Sequence, residues 1–224
     1  MSVVLAFDCA VSGLAVAVVR EGKPLAILKE GGRDQAARLL PAIETALDQA
    51  GVVRRTLSLI AVTIGPGSFT GVRVGLAAAR GLAVGLGVPL AGVSTTAVLL
   101  AQAQPRDCAI VAAIDSHLGD WFCALEENEA PFVATAESLG ARLQGQSCIV
   151  IGTGASVLAA GLRASGVPAQ GEETVPDPVV LARLAAQDGP AGWRARNGRE
   201  GLPRPLYLRG VNITLPDGAG RTVE

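Results

Sequence analysis

One series of elements occurs twice along the 224 residues, and that repetition limits the fold more than any single motif does. VVLAFD (3–8) reads as a strand covered on both faces, and GLAVAVVREGKPLAILKE (13–30) as two more strands joined by a turn at Glu21-Gly22-Lys23. In DQAARLLPAIETALDQAG (34–51), Ala37, Leu40, Ile43, Ala46 and Leu47 recur at helical spacing and Gly51 is a stop, while Pro41 predicts a kink or a split. SLIAVTI (58–64) is a strand that feeds a glycine-rich loop, and a helix is predicted from about Phe69 to Gly85. Residues 88–93 read as a strand, and Ser94 as the N-cap of the next helix. The second half follows the same order. CAIVAAID (108–115) is a strand ending in Asp115, as the first strand ends in Asp8. DWFCALEENEAPFVAT (120–135) continues as a hairpin, AESLGARLQ (136–144) as a short helix and SCIVIGTGA (147–155) as a strand leading into a glycine-rich turn. ASVLAAGLRASG (155–166) and DPVVLARLAAQDG (177–189) read as helices.

A duplicated unit of three meander strands, a parallel strand and helices predicts an α/β chain of actin-like, ribonuclease-H-like architecture. The rival, an ordinary doubly wound sheet, would place a helix after the first strand. Two lobes are expected, 1–104 and 105–210, with Pro105-Arg106-Asp107 at the boundary and 211–224 as a flexible tail. Half of the residues are apolar and only 3% are aromatic, so the core must be aliphatic, as buried α/β sheets are. The formal charge of -1 gives no overall attraction to nucleic acid. Cys9, Cys108, Cys123 and Cys148 form no CxxC and read as free, buried thiols of a reducing compartment. The N-terminus has no basic region and reaches Asp8 too early for a signal peptide, and no run of about 18 apolar residues predicts a membrane span.

TIGPGSFTGVRVG (63–75) resembles a phosphate cradle but fails both tests for one. A Walker A loop needs a lysine after its last glycine, where Val72 stands, and GPGSFTG is one residue too long for the dinucleotide fingerprint. Gly65 and Gly67 supply dihedrals closed to other residues, Pro66 stiffens the bend, Ser68 or Thr70 caps the helix, and the loop amides could hold an anion. Beyond it, Gly71, Gly75 and Ala78 or Ala79 form a small-residue stripe that Leu82 extends, which favours close packing against the sheet or against another molecule. Arg73 points away from that stripe, toward a rim or a carboxylate. Asp8 and Asp115 occupy strand ends where actin-like proteins grip metal-nucleotide, but the flanking residues lack the glycines of such hairpins, and both aspartates also read as turn caps. His117 is the single histidine, so no multi-histidine metal site is available, and its pairing with Cys123 across the hairpin carries no sign of activation. GPAGWRARNGREGLPRPLYLRG (189–210) reads as a basic solvated loop or as a tRNA or protein contact through Arg194, Arg196, Arg199 and Arg204, with PLYLR as a last strand.

GPGSFTGVRVGLAAARGLA (65–83) resembles the hallmark of the bacterial TsaB (YeaZ) family. VVLAFDCAVSGLAVAVV, GVPLAGVSTTAVLL, AAIDSHLGDWFCAL and PLYLRG are similar to further parts of it, so the resemblance spans about residues 3–210. It implies a non-catalytic scaffold, with no catalytic residue and no metal of its own. The partner it implies is a metal-containing, TsaD-like catalytic subunit, joined by a TsaE-like ATPase. Such a complex uses ATP and threonylcarbamoyl-adenylate to modify N6 of adenosine 37 in tRNAs reading codons that start with A. A cytoplasmic chain, free of membrane and able to form a homodimer alone, is implied too. The implied partner surface is helical: Gly71, Val72, Gly75, Leu76, Ala78, Ala79 and Leu82 on one helix, with Ala36, Leu40 and Ile43 on the helix before it. Departures from the family pattern are Cys9 for threonine, Arg33-Asp34-Gln35 for a histidine-led start of the first helix, His117 for arginine and Trp121 for tyrosine. The alternative is an actin-like ATPase or kinase acting alone, which would need glycines beside Asp8 and Asp115.

Overall fold

The computed structural model describes residues 2–32, 34–126 and 129–209, together with the backbone of 211–214 and 220–223. Arg33, and most of the segment expected to be a flexible tail, lie outside the described residues or have only their backbone described. The first sheet has the order β3-β2-β1-β4-β5, from Val3–Asp8 (β1), Leu14–Arg20 (β2), Lys23–Glu30 (β3), Leu59–Thr63 (β4) and Leu90–Val93 (β5). The second repeats it as β10-β9-β6-β7-β8, from Ala109–Asp115 (β6), Trp121–Ala124 (β7), Phe132–Ala134 (β8), Cys148–Gly152 (β9) and Ala169–Glu173 (β10). In each sheet the first strand pairs antiparallel with the next and parallel with the fourth. The duplication and the actin-like fold are therefore as expected. A two-stranded ladder, Val211–Thr214 with Gly220–Val223, follows.

β1 shows why the apolar runs become central strands. Val3, Leu5 and Phe7 pack under helices α1 (Gln35–Gln49) and α2 (Phe69–Leu86). Val4 and Ala6 point to the other face, covered by α6 (Pro178–Glu200). α3 (Thr95–Gln102) lies between the sheets, with Val98 against the first and Leu99 against the second. The far face of the second sheet carries α4 (Ala136–Leu143) and α5 (Ala155–Ala164). Ser94 caps α3 as predicted, its hydroxyl accepting from the amide of Ala97.

Several expectations need correction. In α1 the buried face is Leu39, Ala42, Ile43, Ala46 and Leu47, so Ala37 and Leu40 turn outward, and the helix passes Pro41 unbroken. β10 was not foreseen, because AQGEE at a sheet edge has no apolar alternation. The basic segment after Gly189 is no solvated loop. At Gly189 the chain takes positive φ and then resumes as helix to Glu200, held by buried Trp193 and by the Asn197 side chain, which pairs with both backbone groups of Leu90. PLYLR forms no strand. Pro205 has no amide to give a ladder, and Leu206 N–H donates singly to Ile64 O at 2.8 Å. The division at residue 105 separates the two sheets, but α6 returns to the first one.

Candidate functional site

A cleft of about 900 Å³ opens at the C-terminal ends of β1 and β6, walled by Ser12, Ser68 and Phe69 on one side and Asp115, Ser116 and Phe122 on the other. The glycine-rich loop forms part of its first wall. Gly65 and Gly67 have positive φ, and Ser68 caps α2 by accepting from Gly71 N–H. The loop is pressed onto the turn after β1. Ser68 N–H donates to Ala10 O at 2.6 Å, and a Cβ at Gly67 would stand 2.1 Å from that same oxygen. The amides of Ser68 and Gly71 are thus taken by protein acceptors, and the loop is a packing device where an anion cradle was considered.

The small-residue stripe faces the same way. A Cβ on Gly71 would lie 1.9 Å from Cys9 O, and one on Gly75 would touch Val62 and Cys9 at 3.4 and 3.7 Å. Gly71, Val72, Gly75, Leu76 and Ala79 are buried in the first lobe's own core, as is Ile43, so none of them offers a surface. Beyond Arg73, the residues that α2 leaves exposed are Ala77, Gly81, Val84 and Gly85, Val84 being 72% exposed, with Ala78 and Leu82 half-buried beside them. Leu40 and Ala36 on α1 are exposed too. Although α2 is long and apolar enough to cross a membrane by length and composition, its buried side packs as a core helix does.

The two aspartates separate in role. Asp8 is 3% exposed and takes hydrogen bonds from the Thr63 hydroxyl and from Ala10 N–H. Burial pushes its carboxyl up to about 6 against the lowering effect of those bonds. It is a buried brace between β1 and β4. Asp115 does face the cleft, where its carboxylate accepts from His117 N–H at 2.7 Å and stands 3.4 Å from Nδ1 of that ring. His117 sits in the turn after β6 with its side chain 87% exposed, whereas Cys123 is buried, its thiol pushed up to about 12 by burial. The Cys–His pairing therefore fails. Cys9 is likewise buried and pushed up to about 12, by burial and then by Asp8 beside it. All four cysteines are free. Among the described residues, no three His, Cys, Asp or Glu side chains gather closely enough to hold a metal ion.

Sequence reasoning missed the carboxylate at α5. Glu173, at the end of β10, accepts from Gly154 N–H and Ser156 N–H at 3.1 and 2.9 Å and so occupies that helix's N-terminus. Glu173→Ala should cost about 1 kcal/mol of stability, read by urea unfolding. An unchanged midpoint would count against this capping role. Arg73 meets rings and a hydroxyl in place of a carboxylate. It lies 3.4 Å from the Phe69 ring centroid, and its Nε donates to the Tyr207 hydroxyl at 2.8 Å. The four arginines expected to contact tRNA divide. Arg196 pairs with Asp188 at 2.8 Å and Arg199 lies 4.0 Å from Glu200, while Arg194 donates to Gly87 O and Arg204 is exposed.

The family model described as TsaD, tRNA N6-adenosine threonylcarbamoyltransferase, matches residues 29–128. The Escherichia coli (strain K12) tRNA threonylcarbamoyladenosine biosynthesis protein TsaB is 35% identical over 123 residues, which are 54% of this chain and 53% of that protein. The chain thus spans about half the length of the curated relatives it matches. The solved structure of YeaZ from Pseudomonas aeruginosa is similar with a TM-score of 0.70 and 28% identity, covering 93% of this chain and 100% of that one. ROK hexokinase from Thermus thermophilus, at 12% identity and a TM-score of 0.51 over 83% of this chain and 97% of its own, shares the fold alone.

Proposed function

We propose that the chain, which is similar to TsaB (YeaZ) proteins, belongs to that family and is the non-catalytic subunit of the complex that transfers a threonylcarbamoyl group to N6 of adenosine 37 in tRNA. Its task is to bind a TsaD-like catalytic subunit in the cytoplasm. ATP, threonylcarbamoyl-adenylate and the metal belong to the assembled complex and its other members, among them a TsaE-like ATPase. The observation that carries this reading is the outer face of α2. Ala77, Gly81 and Val84 leave a shallow apolar surface, the neighbouring α1 exposes Leu40, and a Cβ at Gly81 would meet nothing within 4 Å. Small residues on a helix let a second helix approach closely, and each added side chain would hold it off. A homodimer through the same face is the form proposed for the chain without its partner. The buried thiols of Cys9 and Cys123 and the buried carboxyl of Asp8 support a chain that does no chemistry alone.

The partner surface is accordingly the outer α1–α2 face, and a substitution there separates assembly from folding. Gly81→Arg combined with Val84→Glu should weaken the one-to-one complex with the TsaD-like subunit by about 30-fold or more. Light scattering of the mixed proteins reads assembly, and circular dichroism should report an unchanged fold. Assembly at wild-type affinity would remove this face from the proposal. Tight binding of Mg-ATP by the chain alone would favour an independent ATPase or kinase instead.

A further inference from the structure

Three arginine contacts recur at intervals of seven residues along α2. At position 73 the guanidinium lies on Phe69 and binds Tyr207. At position 80 it donates through Nε and Nη2 to Pro203 O, at 3.1 and 2.6 Å. At position 87 the carbonyl of the helix-capping glycine accepts from Arg194 at 3.1 Å. Seven residues are about two turns, so the three stations form one line along the helix, roughly 20 Å long. The segment 202–207 lies antiparallel beside α2 at the first two stations and brings exposed Arg204 to the same edge.

Along α2 and residues 201–209 the charge has one sign, and the nearest acid, Glu200, lines a pocket with Arg204 and stands 4.0 Å from Arg199. α2 contains no acidic residue, and neither does 201–209. Among the described residues, Arg73, Arg80, Arg194 and Arg204 pair with no carboxylate; the partners of the first three are a hydroxyl, carbonyls and aromatic rings, which orient a guanidinium without cancelling its charge. Arg196 and Arg199, by contrast, stand against Asp188 and Glu200. Phe69 and Tyr207, 43% and 42% exposed with ring centroids 5.7 Å apart, add two partly open rings at the cleft end of the line. A row of uncompensated guanidinium groups ending in exposed aromatic rings is the chemistry that holds a phosphodiester backbone and stacks an unpaired base.

We infer that Arg73, Arg80, Arg194 and Arg204, with Phe69 and Tyr207 at one end, form an RNA-binding edge of this chain. The inference rests on the proposed function for the identity of the RNA, tRNA, and on the structure alone for the surface. It lies beside the apolar face proposed for the protein partner, so one helix would serve both contacts. It also reassigns the basic segment: Arg194 and Arg204 face RNA, and Arg196 and Arg199 do not.

The test measures the affinity of a labelled, unmodified tRNA transcript by fluorescence anisotropy across a salt series, for the chain alone and mixed with the TsaD-like subunit. The variant Arg73→Glu with Arg204→Glu should bind at least about tenfold more weakly, with a salt dependence shallower by about two counterions. Arg199→Glu, the control, should stay near wild type. Arg204→Glu alone, at an exposed side chain, decides the matter should the double variant fail to fold, and it should lower the slope by about one. Equal affinity and slope for both variants would overturn the inference. Loss of partner assembly without loss of tRNA affinity would overturn it too, by making this edge a protein contact. Light scattering on the same samples keeps the two readings apart. If the wild-type chain does not assemble, the proposed function fails, while the ranking of variants in the chain alone still judges the edge.

Discussion

Replacing Gly71 by alanine should cost at least about 3 kcal/mol and leave little folded protein at 37 °C. The added methyl would stand 1.9 Å from Cys9 O and 3.1 Å from Cys9 C. Neither atom belongs to a flexible side chain. Cys9 follows directly on β1, which is hydrogen-bonded on both sides, so the carbonyl cannot retreat without loosening the central ladder of the first sheet. Gly81 on the same helix is the matched control. A Cβ there meets nothing within 4 Å, and Gly81→Ala should stabilise by up to about 1 kcal/mol through helix propensity. Thermal unfolding followed by circular dichroism reads both. A Gly71→Ala protein melting within a few degrees of wild type would falsify the close approach of α2 to β1. The contrast also bears on Gly75, which the resemblance implied for the partner surface. Gly75 faces Val62 and Cys9, so enlarging it strikes the core first.

Raising the pH from about 4 to about 7 should cost the protein roughly 2.5 kcal/mol at Asp8 alone. Burial lifts this carboxyl from 3.8 to about 6, so between those two values the folded chain holds a proton that the unfolded chain has released. Stability from this group is complete below the unfolded value and is lost as pH rises through the folded one. Asp8→Asn removes the titration while an amide oxygen can still accept from Thr63 and Ala10. Urea unfolding of both proteins across the interval isolates the contribution, because the remaining carboxylates cancel in the difference. Wild type should fall relative to the variant by that amount, and parallel curves would show that Asp8 ionises in place without penalty. The carboxylate joins two strands and a turn at the base of the cleft, where a neutral brace would serve equally at low pH.

Both sheets, most helices and the caps at Ser68 and Ser94 were legible because each rests on local chemistry: period-two or helical spacing and hydroxyls before apolar runs. The parts that were not legible depend on distant residues. AQGEE becomes β10 because β9 offers it a free edge, and no feature of its own composition marks it as strand. The helix after Gly189 persists because Trp193 finds a buried place and Asn197 finds Leu90, across more than a hundred residues. The stripe on α2 shows the limit most clearly. Periodicity identified a face of Gly71, Gly75 and Ala79, but spacing alone does not say which body covers it, and the cover is β1 and β4. The exposed face of the same helix, with Gly81 and Val84, received no weight because its residues are as small as those inside. Arg73 and Arg80 stand seven apart in the sequence, yet their meaning appears only once residues 202–207 are seen beside them.

The return of α6 to the first sheet has a consequence for synthesis on the ribosome. When residue 104 has been made, the strands β1 to β5 all exist, but the face bearing Val4, Ala6, Leu59 and Ala61 still lacks the helix that shields it. That helix begins at Pro178, and its anchoring Trp193 comes later still. The lobe translated first is therefore the one completed last. A nascent chain carries an open, aliphatic sheet for the time needed to add about ninety residues, several seconds at ordinary elongation rates. During that interval the second lobe, whose strands and helices α4 and α5 are continuous in sequence, can close on its own. Order of manufacture and order of completion run in opposite directions in this chain, and slow translation between the lobes would lengthen the exposure of the first.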